Sequence, residues 1–457
     1  MLIKYKRYLI ELNKIYNTKL LLGVLIVGVI IVVGSFNVYA QNIPILMGLF
    51  SPRQIIVTPT PVITATPIPT PVWTVSQKIT EAKELLRNTT LTVGNKPIAY
   101  TETRYTSVKG KLALTVKSFK EPEKEIALAI LNISSGEIKI VTIIKRGAEL
   151  IAPSGFNINI LRRPNGIIWN GWNTAYKVNI PTDSVVIANV YPNETDTTVA
   201  KKVKGRTVYS TQRTIKYQLY SPYSPDLHSS DLVKSGIDYT NTVISKAFDD
   251  LRVANVKSRA ISGTLVIDVF KSRSDFFSRI PLLEQTDLTE FQIDPQNTIE
   301  RAQVIIGANQ DQAFNATCNS SSACGWLQFT PRTYANIVKS YPSAKLIKDF
   351  KTGAADHLNS MKAAILLYDE NLRGLMLAHG KEIVNDPKLE EYLASSYNGA
   401  PRWVYKTLTA SILGGIQDWV NALTSKTGGL KDETKGYLVK LRWLQEHQSS
   451  SLATLSQ

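Results

Sequence analysis

The chain has few of the residue types that usually carry metal or redox chemistry. Its 457 residues include two cysteines, four histidines and four methionines. The histidines are scattered along the sequence, and two thiols without a nearby pair of histidines are too few ligands for zinc. The sequence therefore predicts no metal site and no cofactor.

Acidic residues are scarce relative to basic ones. The chain has 37 Asp and Glu against 53 Lys and Arg, which gives a net charge of +16. The excess lies before residue 290, because residues 290–457 hold 17 basic and 16 acidic residues. Such an excess often signals a nucleic-acid partner, whereas in an exported protein it suits anionic wall polymers or membrane surfaces. The N-terminus indicates export, so we expect no nucleic acid.

The N-terminal 40 residues predict a membrane segment. A basic leader, residues 1–19, precedes an unbroken apolar run from Leu20 to Val33, and residues 20–40 reach the ~20 residues needed to cross a bilayer. The positive flank predicts that the leader stays in the cytoplasm. Val38-Tyr39-Ala40 also fits a signal cleavage site. We therefore expect either a retained single-pass anchor, which we favour, or a secreted protein cleaved after Ala40.

The rest of the chain predicts a multidomain α+β protein. Residues 41–74 form a linker rich in Pro and Thr, which favours a stiff, extended spacer. Residues 75–220 begin with a short amphipathic helix and continue with alternating apolar residues, which predict an antiparallel β domain of unknown role. Residues 221–289 form a connecting α/β segment, with a helix over 231–251 and a strand over 263–270. Residues 290–457 show mainly helical periodicity.

The two cysteines lie six residues apart in a polar loop. Cys318 and Cys324 belong to a chain that the N-terminus sends out of the cytoplasm, where disulfides persist. A local disulfide is therefore predicted. Closing so small a ring contributes ~2 kcal/mol on the loop-entropy estimate.

Three motifs follow one another in the last third of the chain. Asp311-Gln312-Ala313-Phe314 is followed by a Gly-Trp-Leu-Gln-Phe-Thr-Pro run (325–331) and by Ala-Ser-Ser-Tyr-Asn-Gly-Ala-Pro (394–401). In order and spacing they resemble the soluble, goose-lysozyme-like lytic transglycosylases. That family carries a glutamate followed by Ser-x-aromatic, then Gly-Leu-Met-Gln and Ala-x-Tyr-Asn-x-Gly-Pro. The resemblance implies a lysozyme-like domain over residues 290–457 that acts on peptidoglycan glycan strands.

The resemblance also implies roles for individual residues. Asp311 takes the position of the family's catalytic glutamate, and Tyr397 takes that of the tyrosine thought to hold this carboxyl. The expected substrate-binding residues are Gly325, Trp326, Gln328, Phe329 and Asn398. In the family one carboxyl protonates the glycosidic oxygen and then accepts the proton of the muramyl C6 hydroxyl, which yields a 1,6-anhydro product.

Aspartate in place of glutamate leaves the identity of the acid open. Its side chain is shorter by one methylene, and misplacement of a catalytic group by ~1 Å can cost ~100-fold in rate. Asp311 therefore works as it stands, or the acid lies elsewhere with Glu284 as the spare candidate, or the chain only binds. The predicted function is a membrane-anchored lytic transglycosylase, with a non-catalytic peptidoglycan-binding protein and a lysozyme-like hydrolase as alternatives.

Overall fold

A computed structural model describes residues 73–108, 111–161, 171–203 and 206–454. The chain divides into two compact units, Met1–Pro69 and Thr70–Gln457, and all of the described residues belong to the second. The predicted leader, the membrane segment and nearly all of the linker lie outside the described residues. Within the described part, no helix is both long and apolar enough to span a bilayer.

The first half of this unit is an antiparallel sheet with a separate hairpin, as the alternating pattern predicts. The main sheet has the order β4-β3-β2-β7-β8, with β1 also paired to β2, and β5 pairs with β6. The strands are β1 (Val93–Val108), β2 (Lys111–Asn132), β3 (Ile138–Arg146), β4 (Glu149–Ile151), β5 (Asn157–Ile160), β6 (Tyr176–Ile180), β7 (Ser184–Val203) and β8 (Arg206–Tyr220).

The centre of the sheet is buried on both faces, and the residues of β2 divide between these faces because side chains alternate along a strand. Ile126, Leu128 and Ile130 join the core that includes the β5–β6 hairpin. Ala127 and Ala129 join the opposite core, where helices cover the sheet. Small side chains on the helix-facing side let the helices lie close to the sheet.

The second half is helical, which confirms the coarse α+β prediction. The helices of the described chain are α1 (Val75–Leu86), α2 (Ser230–Val253), α3 (Val266–Phe270), α4 (Ser274–Glu284), α5 (Leu288–Ile293), α6 (Pro295–Asn309), α7 (Pro331–Ser340), α8 (Phe350–Ala355), α9 (His357–His379), α10 (Leu389–Asn398), α11 (Pro401–Gly414) and α12 (Asp432–Thr454). Most of the residues of α9 are buried, so this helix lies inside the helical core.

Two helices meet backbone to backbone where the connecting segment joins the C-terminal part. A Cβ atom added to Gly236 of α2 would lie 2.1 Å from the carbonyl oxygen of Gln303, and one added to Gly307 of α6 would lie 2.2 Å from that of Leu232. Only glycine permits such an approach. The contact sets α6 directly against α2, and α6 ends at the loop that carries the predicted motifs.

One predicted strand is wrong. Residues 263–270 were expected to be extended, but Val266–Phe270 forms the short helix α3. Four of its five residues are buried: Val266, Ile267, Val269 and Phe270. Only Asp268 is exposed, and so short an apolar run fits a buried strand or a buried helical turn equally well, because five residues are too few to show a period.

Candidate active site

The loop after α6 is compact and held by local bonds. The Sγ atoms of Cys318 and Cys324 are joined in a disulfide, and the backbones of these two residues and of Cys324 and Phe329 form isolated β-bridges. Four non-glycine residues of this stretch have positive φ angles: Gln310, Phe314, Ser322 and Gln328. Such backbone conformations are costly and persist where surrounding contacts enforce them, often near functional sites.

Asp311 lies on the surface of this loop. It occupies the exposed 3₁₀ turn Gln310–Gln312 that follows α6. The negative charge of Asp311 acts to raise the pKa values of Lys83, Tyr239 and His357. An acid for glycoside cleavage needs an apolar, desolvated setting that keeps its proton. The exposed position of Asp311 does not provide one.

The aromatic residues of the Gly-Trp-Leu-Gln motif are core residues in the structure. The Trp326 side chain is fully buried, stacks on the His357 ring with centroids 4.1 Å apart, and donates its indole N–H to Ser360 Oγ at 2.7 Å. Phe329 is also buried. Both were expected to bind substrate, but their rings face the interior. Their contribution is to fix the shape of the loop.

Gly325 and Gln328 of the same motif also have structural contacts. Gly325 has a φ of +79°, and an added Cβ would lie 2.0 Å from the carbonyl oxygen of Ala354. Gln328 donates through Nε2 to the Gly325 carbonyl oxygen at 2.7 Å. This amide closes the turn of the motif, which is the backbone-binding role that a half-buried glutamine can fill.

Tyr397 joins the end of α10 to the motif loop. Its hydroxyl donates to the carbonyl oxygen of Leu327 at 2.7 Å, and its ring meets that of Phe329 edge-on at 5.7 Å. Burial raises the pKa of Tyr397 well above its ordinary range, and the charge of Glu284 raises it further. The structure therefore brings Tyr397 together with the motif loop and with Glu284.

Glu284 is the last residue of α4, and its carboxyl is half-buried. Its charge raises the pKa values of three buried or partly buried tyrosines, namely Tyr368, Tyr397 and Tyr437. Burial raises the pKa of Glu284 to about 7. The nearby Tyr437 hydroxyl and the charge of Lys440 oppose this rise, and the charge of Glu433 adds to it. The Tyr437 hydroxyl is buried and forms no hydrogen bond in the described structure.

Gln285, the residue after Glu284, binds the motif loop. Gln285 donates through Nε2 to the carbonyl oxygens of Trp326 at 2.9 Å and of Gly325 at 3.2 Å. These bonds hold the C-terminal end of α4 against the Gly-Trp-Leu-Gln turn, to which Tyr397 also donates a hydrogen bond. Glu284, Tyr397 and the motif loop are thus parts of one arrangement.

Lys440 of α12 holds the same end of α4. Its ammonium group donates to the carbonyl oxygen of Leu283, to that of Thr286 at 2.8 Å and to Thr286 Oγ1 at 3.3 Å. Carbonyls at a helix C-terminus lack partners within the helix, and a cation there is favourable. Burial nevertheless lowers the pKa of Lys440 to about 8, against the opposing effect of Glu284.

A cleft of about 210 Å³ lies between the end of α10 and the start of α12. Asn398, predicted to bind substrate, lines it, and its Oδ1 accepts a hydrogen bond from Thr434 Oγ1 at 2.9 Å. The lining combines hydroxyls, an amide, one indole and charged side chains: Ser395, Asn398, Gly399, Ala400, Arg402, Trp403, Leu430, Lys431, Glu433 and Thr434. Convergent polar groups beside one aromatic ring suit a single sugar ring.

The helix α12 contributes to this site, which the sequence motifs do not indicate. The pKa of Glu284 is influenced by three residues of this helix, Glu433, Tyr437 and Lys440. Their spacing of four and three residues places them on one face of a helix, which is a signal that the sequence contains. Nothing in the sequence indicates that this face packs against the end of α4.

The described part of the chain contains no cluster of three or more His, Cys, Asp or Glu side chains that could hold a metal ion. No protein-family model, curated protein or solved structure matches the chain.

Proposed function

We propose that this protein is an exported, membrane-anchored peptidoglycan lytic transglycosylase, and that Glu284 rather than Asp311 is its acid. The observation that carries the proposal is the position of Glu284. Its carboxyl is half-buried among tyrosines, its pKa is raised to about 7, and Gln285 beside it binds the Gly-Trp-Leu-Gln turn. An acid that titrates near neutrality can donate a proton and then act as a base.

The chemistry needs only one carboxyl. The protonated Glu284 gives its proton to the oxygen that bridges the two sugars, and the bond from that oxygen to the anomeric carbon breaks. The anomeric carbon then has oxocarbenium character. The C6 hydroxyl oxygen of the same muramyl sugar bonds to this carbon, and the hydroxyl proton passes to the Glu284 carboxylate. The product is a 1,6-anhydro sugar, and the acid is regenerated.

The other parts of the site support this reaction by positioning. Tyr397, Gln285 and Lys440 fix the end of α4 and the motif loop relative to each other. Asn398 and Trp403 line a cleft in which one sugar ring would be held. A lysozyme-like arrangement of the helical part and an anchor over residues 20–40 belong to the same proposal.

The experiment compares Glu284→Gln with Asp311→Asn on purified peptidoglycan, with released fragments identified by mass. Glu284→Gln is expected to lower release by about 100-fold or more, because the amide cannot deliver a proton. Asp311→Asn is the matched control, since it removes a carboxyl that resides on the surface, and it should keep activity within a few-fold of wild type. Near-ultraviolet circular dichroism would show that both variants are folded.

The products distinguish the candidate functions. Anhydro-muropeptides from the wild type support the transglycosylase, whereas reducing ends indicate a hydrolase. No release, with the glycan still bound, indicates a non-catalytic binding protein. Loss of activity in Asp311→Asn with activity retained in Glu284→Gln would return the acid to Asp311.

A further inference from the structure

The strands β7 and β8 extend beyond the rest of the sheet as a two-stranded arm. β7 pairs with β2 only over residues 184–190, whereas its pairing with β8 continues as far as Val203 and Arg206. We call residues 191–203 and 206–218 the β7–β8 arm. At the usual rise of a strand, the arm is roughly 40 Å long.

The distal half of the β7–β8 arm is basic and exposed. Residues 197–212 contain Lys201, Lys202, Lys204 and Arg206 but no Asp or Glu, which gives this stretch a net charge of +4. The side chains of residues 197–202 and 207–212 are all exposed. The arm therefore presents part of the basic excess of the chain to the solvent, without acidic residues of its own to offset it.

Apolar side chains are exposed in the same stretch. Val199, Val208 and Tyr209 are 40%, 49% and 71% exposed. The strand register places Lys201 opposite Val208, and Val199 lies two residues from Lys201 on the same face. Tyr209 lies on the other face, diagonal to Lys202. Each face of the arm thus combines a cation with an apolar or aromatic group.

This combination favours a lipid surface as the partner. A two-stranded hairpin is marginally stable in water when nothing covers it. Anionic headgroups attract lysine and arginine, while valine and tyrosine side chains enter the boundary between headgroups and acyl chains. A hydrated polymer of polyol phosphates would neutralise the lysines but leave the valines in water. A second copy of the arm would bring like charges together.

We infer that the β7–β8 arm docks on the surface of a membrane that contains anionic lipids, with its lysines at the headgroups and Val199, Val208 and Tyr209 at the apolar boundary. The arm is a second membrane contact, separate from the predicted anchor over residues 20–40. The inference does not depend on the chemistry proposed for Glu284.

The test measures the environment of the arm itself. Ser210→Cys places a reactive thiol on the exposed face that carries Val199, and Cys318 and Cys324 do not compete for the label because they form a disulfide. The full chain, labelled there with an environment-sensitive fluorophore, is mixed with vesicles of phosphatidylcholine or of phosphatidylcholine and phosphatidylglycerol. The emission should shift to the blue only with the anionic vesicles. An anchor that inserts into both kinds of vesicle does not alter this comparison.

Two variants of the arm separate charge from apolar contact. Lys201→Gln combined with Lys202→Gln should lower the ratio of lipid-bound to free arm roughly 30-fold, which is the effect of two lysines at an anionic surface. Val208→Thr keeps the charge and nearly the shape of the side chain, and it should reduce the blue shift several-fold because a hydroxyl opposes entry into the apolar boundary.

Lys246→Gln combined with Lys257→Gln is the matched control, since it removes the same charge from exposed positions outside the arm. This variant should keep the wild-type shift. An absent shift, an equal shift on phosphatidylcholine alone, or equal losses in the arm and control variants overturn the inference.

An anionic polymer is the competing partner. Binding to soluble poly(glycerol phosphate) that requires Lys201 and Lys202, with no blue shift on vesicles, would assign the arm to such a polymer and overturn the docking on lipid. None of these measurements uses peptidoglycan cleavage, so a failure here is distinct from a failure of the proposed function.

Discussion

At the scale of single residues, the two carboxyls that the sequence offered as the acid differ in environment. Asp311 is exposed in a turn, whereas Glu284 ends a helix among buried tyrosines. Desolvation disfavours the charged form of a carboxyl. The burial that raises the pKa of Glu284 must therefore lower the stability of the folded protein whenever Glu284 is ionised.

Glu284→Gln is accordingly expected to remove a pH-dependent loss of stability. The folded carboxyl keeps its proton up to about pH 7, whereas the unfolded carboxyl loses it near its ordinary value of 4.5. Between these values the folded state binds more protons, so the free energy of unfolding falls as the pH rises from 4.5 and levels off above 7. The advantage of the variant over wild type should grow by on the order of 3 kcal/mol across this window.

Urea unfolding at half-unit steps from pH 4 to pH 8 measures this difference. Taking the difference between variant and wild type cancels the titration of groups that do not interact with Glu284, including that of His357, whose pKa burial lowers to about 4. A difference that stays constant across the window would mean that the pKa of Glu284 is the same in the folded and the unfolded protein.

At the scale of elements, the site depends on how closely the motif loop approaches α8. Gly325 begins the Gly-Trp-Leu-Gln turn with positive φ, and its Cα faces the carbonyl oxygen of Ala354 at the end of α8. Gln285 and Gln328 both bind the carbonyl oxygen of Gly325. A displaced Gly325 would therefore shift the loop away from the end of α4.

Gly325→Ala is expected to destabilise the fold by roughly 3 kcal/mol or more, because a methyl group must displace backbone as well as adopt a strained φ. Gly415→Ala is the matched control: Gly415 also has positive φ, but an added Cβ meets nothing within 4 Å. Gly415→Ala should lower the free energy of unfolding by only about 1 kcal/mol. The free energies of unfolding of both variants are measured in urea. Equal losses of stability in the two variants would show that the close contact with Ala354 does not contribute to the effect.

At the scale of the whole molecule, the described residues form a compact unit that begins just before α1. The sheet half and the helical half of this unit share a core, because α1 and α6 both contribute to the apolar cluster on one face of the sheet. The apolar segment and the Pro/Thr linker precede this unit in the sequence. That order suits a folded part held away from a membrane by a spacer.

The residues from Gln41 onward are therefore expected to lie outside the cytoplasmic membrane. Protease added to intact spheroplasts should remove the folded part, since the composition of the linker before it, rich in proline and threonine, predicts an accessible spacer. A cytoplasmic marker protein in the same cells should stay intact, which shows that the membrane is sealed. Complete protection of the chain under these conditions would rule out the predicted topology.

The sequence by itself determined the elements and their broad order. The helical period over residues 231–251 predicted a helix close to the observed α2, and the alternating apolar residues within 75–220 predicted the antiparallel sheet, because these patterns depend on residues near one another in the chain. The cysteine spacing likewise indicated the disulfide that the structure contains. The pattern failed at α3, because its five residues are too few to distinguish a helical period from a strand.

Only the tertiary structure decided which carboxyl lies beside the motif loop. Asp311 is near that loop in sequence, but α6 ends so that its side chain faces water. Glu284 is distant in sequence, yet Gln285, Tyr397 and Lys440 hold the end of α4 against the loop. Desolvation and charge depend on what packs around a group, and those neighbours come from helices α9, α10 and α12, whose contacts no local pattern specifies.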